Sequence, residues 1–304
     1  MRQGFLEICR RHGLVALLLF LLLGTTGVSL AAEQAEELLI GIEPEHNIFD
    51  QMERYRHLAD YLSDHLGITV RLTIMSRYGE GIMRFKARKL DGAFLTPYTA
   101  SMGIRELNLD PVVHPVGLNN DLTSKGYIFV RRDSGIRTAA DMRGKSIVFV
   151  DPATMEGYLF PLSYLQQNGI HDINNDFSRH YFSGSHASAI FAVLDGRADI
   201  GAAKSTVFKR LADQDSSIRQ ELHIISSSPA VPEITLCVRN ELDPQLRNRL
   251  ARALLEMDKN LRGQEALAHF MALRFVKAMA SEFVKVEAML EEARPALLEA
   301  GGQE

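Results

Sequence analysis

The sequence predicts an α/β protein of two lobes, the second inserted into the first, and three observations carry that prediction. From residue 37 onward, short apolar runs alternate with segments of helical periodicity, the pattern of sheets flanked by helices. A second set of the same kind begins after the polar stretch "NNDLTSKG". The stretch "SSSPAVPE" (Ser226–Glu233) then returns the chain to one more strand, so two polar or proline-containing segments bracket a central module. The boundaries that follow are 33–125 with 229–304 for the first lobe and 126–228 for the second, joined by two crossing strands able to act as a hinge.

In chain order, "ELLIGI" (Glu37–Ile42) reads as a strand, and Met52–Leu66 places apolar or aromatic residues at 52, 55, 58, 61, 62 and 66, one face of a helix. "ITVRLTI" (Ile68–Ile74) alternates as a strand. A helix over 79–89, a strand at Gly92–Thr96, a helix from Pro97 and a strand over Asp110–Leu118 complete the first set. The second set holds strands at Tyr127–Arg132, Ser146–Val150, Ser178–Ser183 and Ala198–Ala203, with helices between. After "ITLCV" (Ile234–Val238), helices are expected over about 244 to 300. This alternation argues for parallel strands covered by helices on both faces.

Residues 1–32 read as a secretory signal peptide. Arg2, Arg10 and Arg11 precede the apolar run Leu14–Leu23, and small residues follow through Ser29, Ala31 and Ala32. The run is shorter than the roughly 20 residues a spanning helix needs, so a periplasmic location is expected. Cys9 would leave with this segment, and Cys237, inside a strand, reads as a small buried thiol with no disulfide partner. Removing residues 1–31 takes away three arginines and one glutamate, so the formal net charge of −4 becomes −6. With no basic stripe, that balance argues against nucleic acid.

Ligands of open α/β sheets sit beyond the carboxyl ends of strands, where helices begin. Three such junctions stand out: Thr96-Pro97 leading to Tyr98, the stretch "DPATMEG" with Thr154, Glu156 and Gly157, and "SGSHASA" with Ser185 and His186. Each helix start offers unpaired N–H donors at the positive end of a dipole, a ready site for an anion, while each Ser or Thr also suits a plain helix cap. Tyr78, Tyr98, Tyr127 and Tyr158 lie beside these junctions or the presumed hinge. His180 and His186 lack a completing ligand set, so no metal site is expected. Ser185 and His186 are adjacent, and no GxSxG elbow or phosphate-binding glycine loop is present, so neither catalytic residues nor a cofactor is expected.

The segments "DSGI", "DMRGKSIVFVDPATMEGYLFP", "GSH", "AVLDGRADIGA" and "SSPAVPE" together resemble the periplasmic phosphate/phosphite/phosphonate-binding proteins of ABC transporters, in the same order from about residue 38 to 270. The resemblance implies a type II periplasmic-binding-protein fold, two mixed sheets flanked by helices, closing on one small solute without altering it. It implies ligand contacts at Tyr78, Thr96, Tyr98, Tyr127, Thr154, His186 and, near a position that takes an amino group, Glu233. It also implies a monomer that hands its solute to a membrane permease; a receptor or sensor kinase that reads closure is the alternative partner. One departure bears on the ligand: Met155 and Glu156 stand where phosphonate binders carry small hydroxyl residues. Either Glu156 turns outward along its helix and leaves the N–H groups to an anion, or the ligand is not a phosphonate; the second option includes a neutral metabolite or a cationic one, with Glu156 and Glu233 receiving the cation.

Overall fold

The computed structural model describes residues 37–45 and 48–301; the signal peptide read from the sequence lies outside them. Alternation in "ELLIGI" and the helical spacing behind it give β1 (Glu37–Ile42) and α1 (Ile48–Leu66), whose buried Tyr55, Leu58, Ala59, Leu62 and Leu66 form one apolar stripe. β2 (Thr69–Ile74), α2 (Glu80–Lys86), β3 (Gly92–Leu95), α3 (Pro97–Leu107) and β4 (Asp110–Gly117) follow. A short β5 (Thr123–Ser124) leads into β6 (Gly126–Arg131), β7 (Ser146–Phe149), a wide π turn at Met155–Leu159 and α4 (Phe160–Gln167). Next come α5 (Ile173–Asp176), β8 (Arg179–Phe182), α6 (His186–Leu194), β9 (Ile200–Lys204), α7 (Ser205–Gln214), α8 (Ser216–Glu221) and β10 (Leu222–Ser227). The chain ends through β11 (Val231–Pro232), β12 (Thr235–Val238), α9 (Pro244–Leu255), α10 (Leu261–Phe270), β13 (Ala272–Lys277) and α11 (Val284–Gly301).

Two mixed sheets result, in the orders β13-β4-β12-β3-β1-β2 and β10-β6-β9-β7-β8. The βαβ alternation gives parallel pairs only inside each sheet: β1 with β2 and β3, and β7 with β8 and β9. The strands that carry the chain between the sheets run the other way. β12 returns antiparallel between β3 and β4, and β6 lies antiparallel to β9 and β10. Both sheets are therefore mixed, as the resemblance implied: the parallel pairing argued from the alternation holds within each βαβ unit, and a strand that arrives from the other sheet needs no helical crossover and is free to enter antiparallel. β5 and β11 pair as a two-stranded ribbon between the sheets.

The expectation of helices over 244 to 300 gives way. Met271 takes a left-handed conformation (φ 66°) that ends α10, and β13 then adds antiparallel to the edge strand β4 with Ala272 and Phe275 buried. β10, unforeseen as a strand, forms the corresponding edge beside β6.

Under α1, α9 and α10 the first sheet buries Leu38, Ile40, Phe94, Leu236, Leu250 and Phe270 in one cluster. Tyr55 meets Phe94 and Phe270 edge-on at 5.2 and 4.9 Å, the geometry that aromatic quadrupoles favour. Each such side chain contributes about 1.5–3 kcal/mol on burial. A second cluster joins the sheets themselves: Leu95 of β3, Ile128 of β6 and Phe149 of β7 pack with Met155, Tyr158 and residues of α11. α11 lies along α4, where the Glu292 carboxylate accepts from Ser163 Oγ (2.5 Å) and Gln167 Nε2 (2.7 Å). The final helix therefore packs against the second sheet's helices although it follows the first sheet in sequence.

Candidate functional site

On the side of the first sheet, the chain leaves β1 at its carboxyl end and immediately buries a carboxylate. Glu43 is fully excluded from solvent. Its Oε2 accepts from the Thr96 N–H (2.8 Å) and Thr99 Oγ1 (2.7 Å), and its Oε1 from the Gly79 N–H (2.9 Å). Thr96 caps α3, with Pro97 fixed at the first helical position. The Thr96 amide at this helix start and the Gly79 amide at the start of α2 are thus bound by the protein's own side chain. Burial pushes the Glu43 carboxyl up to about 7, against the opposing pull of the hydrogen bonds from Thr96, Thr99 and Gly79. Gly79 holds φ 73°, and a Cβ there would sit 3.0 Å from Ala153 Cβ of the second sheet's side, so glycine answers both a backbone conformation and a close approach.

Across the cleft, β7 ends at the loop leading to the π turn, whose Leu159 N–H reaches back to Thr154 O at 3.1 Å. π turns occur often at functional sites. Glu156, in the first position after Met155, is buried and accepts from Ser124 Oγ at 2.9 Å. It does not turn outward. Burial raises its carboxyl, while Lys204 and its own backbone N–H favour the ionised form. Lys204, the last residue of β9, is also buried; its Nζ lies 2.7 Å from Glu45 Oε1 and 2.6 Å from Glu233 Oε2. Burial alone would pull this ammonium down, yet Glu233, Glu45 and Glu156 together hold it well above its ordinary value.

Lys204 comes from the second sheet, Glu45 from the loop after β1 and Glu233 from the return segment before β12, so a single ammonium ties all three together. Tyr78 senses Glu45, Lys204, Glu43 and Glu156, which marks them as one neighbourhood, and burial raises its phenol well above the ordinary value. Two buried polar atoms here lack a hydrogen-bond partner: Tyr78 Oη and Glu233 Oε1. A buried polar atom left unpaired costs about 1–3 kcal/mol.

The structure brings Tyr78, Thr96, Glu156, His186 and Glu233 into this neighbourhood. His186 is buried, its Nδ1 accepts the Lys204 N–H at 3.1 Å and its ring meets Tyr78 edge-on at 6.3 Å. Thr154 stands at the start of the π turn with its hydroxyl given to Asp151 O (2.7 Å), and Ser185 caps α6 by accepting the Ser188 N–H (3.1 Å). Gly157 serves packing, since a Cβ there would fall 2.4 Å from a Val150 methyl. Tyr98 packs against the cluster that joins the sheets, and Tyr127 meets Phe208 edge-on at 5.8 Å. Sequence reasoning missed Glu43, Glu45, Ser124 and Lys204. The rule that ligands gather beyond strand ends could have found Glu43 and Lys204, which follow β1 and end β9.

Comparison with known proteins agrees with this fold. Residues 40–283 match the family described as ABC transporter, phosphonate, periplasmic substrate-binding protein. The chain is 25% identical over 241 residues to the phosphate-import protein PhnD of Mycolicibacterium smegmatis, covering 76% of this chain and 74% of that one. Among solved structures, the binding protein component of an ABC phosphonate transporter from Pseudomonas aeruginosa superposes with a TM-score of 0.75 at 19% identity, over 86% of this chain and 88% of that one. PhnD1 of Prochlorococcus marinus, solved with methylphosphonate, gives a TM-score of 0.74 at 19% identity over 85% and 98%. The two structures share the fold.

Proposed function

This chain belongs to the periplasmic substrate-binding proteins of phosphonate ABC transporters, and we propose that its own solute is a small molecule bearing an ammonium or other cationic group. The family consists of substrate-binding proteins and not of enzymes. Membership in a transporter family favours delivery to a permease over signalling to a receptor or kinase. In this reading the lobes are 33–125 with 229–304 and 126–228, residues 1–32 are the export signal, the protein acts as a monomer, and ligand contacts both lobes when they close.

One observation supports the choice of solute: at two of the three helix starts read from the sequence, those at Thr96 and at the π turn, a carboxylate of the protein lies beside the start. Glu43 holds the Thr96 and Gly79 amides, and Glu156 sits at the start of the π turn with Ser124. A phosphonate within ~4 Å of Glu156 would meet a repulsion of about 4 kcal/mol per charge pair at an effective dielectric near 20, half of the ~8 kcal/mol that a micromolar site supplies. A cation meets the opposite field. Lys204, held between Glu45 and Glu233, is then a tethered stand-in whose carboxylates the solute's cation shares or takes over, while Glu233 Oε1 and Tyr78 Oη accept or donate the remaining bonds.

The test is a thermal-shift and calorimetric comparison of polyamines and basic amino acids with phosphate, phosphite and methylphosphonate. A binding amine at a hundred times its dissociation constant adds ~2.7 kcal/mol of stability. Saturable binding of phosphate or methylphosphonate with no response to any amine would overturn the assignment of the solute, and absence of any solute response would overturn capture in the cleft.

A further inference from the structure

The first lobe carries a second cluster of chemistry that shares no residue with the cleft. Glu53 and His57 stand four residues apart on α1, and therefore on one face of it. His269 comes from the last turn of α10, which packs along α1. The imidazoles of His57 and His269 stack with centroids 3.7 Å apart and planes 14° from parallel, and His57 Nε2 lies 3.4 Å from Glu53 Oε1. One donor atom from each of the three lies within 4.8 Å of the other two. Among the described residues, this is the group of His, Cys, Asp and Glu side chains gathered at such separations.

That spacing is within reach of one ion. Bonds of ~2.0–2.2 Å from zinc to imidazole nitrogen and carboxylate oxygen set donors on a tetrahedron roughly 3.4 Å apart, so modest side-chain rotation closes the set. Two imidazoles with one carboxylate suit a borderline transition metal, whereas magnesium and calcium take oxygen ligands. The competitor is Arg56, whose guanidinium reaches both Glu53 oxygens at 3.2 Å. This pair is exposed and so weak. Glu53 and His269 are exposed and His57 half-buried, so the cluster is open to solvent for entry of the ion and for water in the remaining coordination positions.

We propose that Glu53, His57 and His269 form a binding site for a divalent transition-metal ion, which would pin α1 to α10 on the outside of the first lobe.

The experiment is a calorimetric titration of zinc into the chelator-stripped purified protein, with cobalt absorption as a report on ligand type. The expected result is one equivalent bound, with affinity in the ~μM range for a three-ligand site. His57→Ala and His269→Ala should each weaken binding by tenfold or more, and Arg56→Ala should strengthen it. Affinity should also fall between pH ~7.5 and ~5.5 as protons compete for imidazole. If a histidine variant fails to fold, Glu53→Gln, at an exposed carboxylate, carries the same expectation. No saturable equivalent in the parent protein, or an affinity that neither histidine variant changes, would overturn the site.

Discussion

The two helix starts that flank the cleft meet one electrostatic problem in different ways. On the first sheet's side, Glu43 is neutralised by geometry: two backbone N–H groups and a threonine hydroxyl converge on its two oxygens. On the second sheet's side, Glu156 has one serine hydroxyl and its own amide, and depends on the charge of Lys204 for the rest. The first arrangement is local, built from residues that one lobe supplies. The second is shared, because the ammonium that serves Glu156 also bridges to Glu45 and Glu233. The difference teaches that the first site is held by elements of one sheet, while the second ties charge balance to contacts between elements of both sheets.

The largest expected effect breaks the shared arrangement. Lys204→Met leaves Glu45, Glu156 and Glu233 facing one another without a cation, and loss of one partner from a buried ion pair costs about 3–5 kcal/mol. Chemical denaturation should register that loss; a change under about 1 kcal/mol would mean that these carboxylates are already balanced without Lys204. The variant should also populate an open form in solution scattering, since the tie between the sheets is gone.

Next in size is the local arrangement. Glu43→Gln keeps the volume but turns an amide toward three donors, so a loss of about 2 kcal/mol is expected near neutral pH. The pH dependence is the sharper measurement. The Glu43 carboxyl is raised from 4.5 to about 7 in the folded protein, so between those values the folded state binds the proton more tightly than the unfolded chain. Stability from this group is therefore fully present below pH 4.5 and declines as pH rises toward 7, by about 3 kcal/mol at 1.36 kcal/mol per unit. The Gln variant should lack that decline, and a parent protein whose stability is flat across the window would show that the three hydrogen bonds outweigh burial.

The smallest effect concerns ligand choice. Glu156→Ser removes the repelling carboxylate and restores a hydroxyl at the start of the π turn, so methylphosphonate affinity should rise at least tenfold, or 1.4 kcal/mol. An unchanged or weaker calorimetric response would remove Glu156 from the determinants of specificity.

Much of the fold was legible because its elements repeat a simple period. The β1, β3, α3 and β12 segments announced themselves through alternation, a proline at a helix start, or an uninterrupted apolar run. The edge strands were not legible. β13 shares its length of sequence with flanking helices and buries only part of its side chains, and β10 is a partly polar strand whose pairing is decided by its neighbour β6. Within the site, Thr96, Glu156 and His186 could be picked out because strand-to-helix junctions are local features, and Glu233 through the family resemblance. Glu43 and Lys204 lie at strand ends as well, but were passed over because a charged residue there ordinarily points to water. What buries them is contact between segments 159 residues apart, from Glu45 to Lys204, which no local pattern records. Tyr98 and Tyr127 show the converse, being plausible contacts by position that pack into apolar clusters.

The π turn at Met155–Leu159 has a consequence for how such a cleft can change. A π turn accommodates one residue more than the α-helical path between the same ends. Deleting a single residue between Thr154 and Phe160 would let the segment rewind as ordinary helix, turning the side chains before it by ~100°. Glu156 would then leave the cleft without being mutated. The sign of the field that a passing solute meets is in this sense written into the length of one loop as much as into its composition.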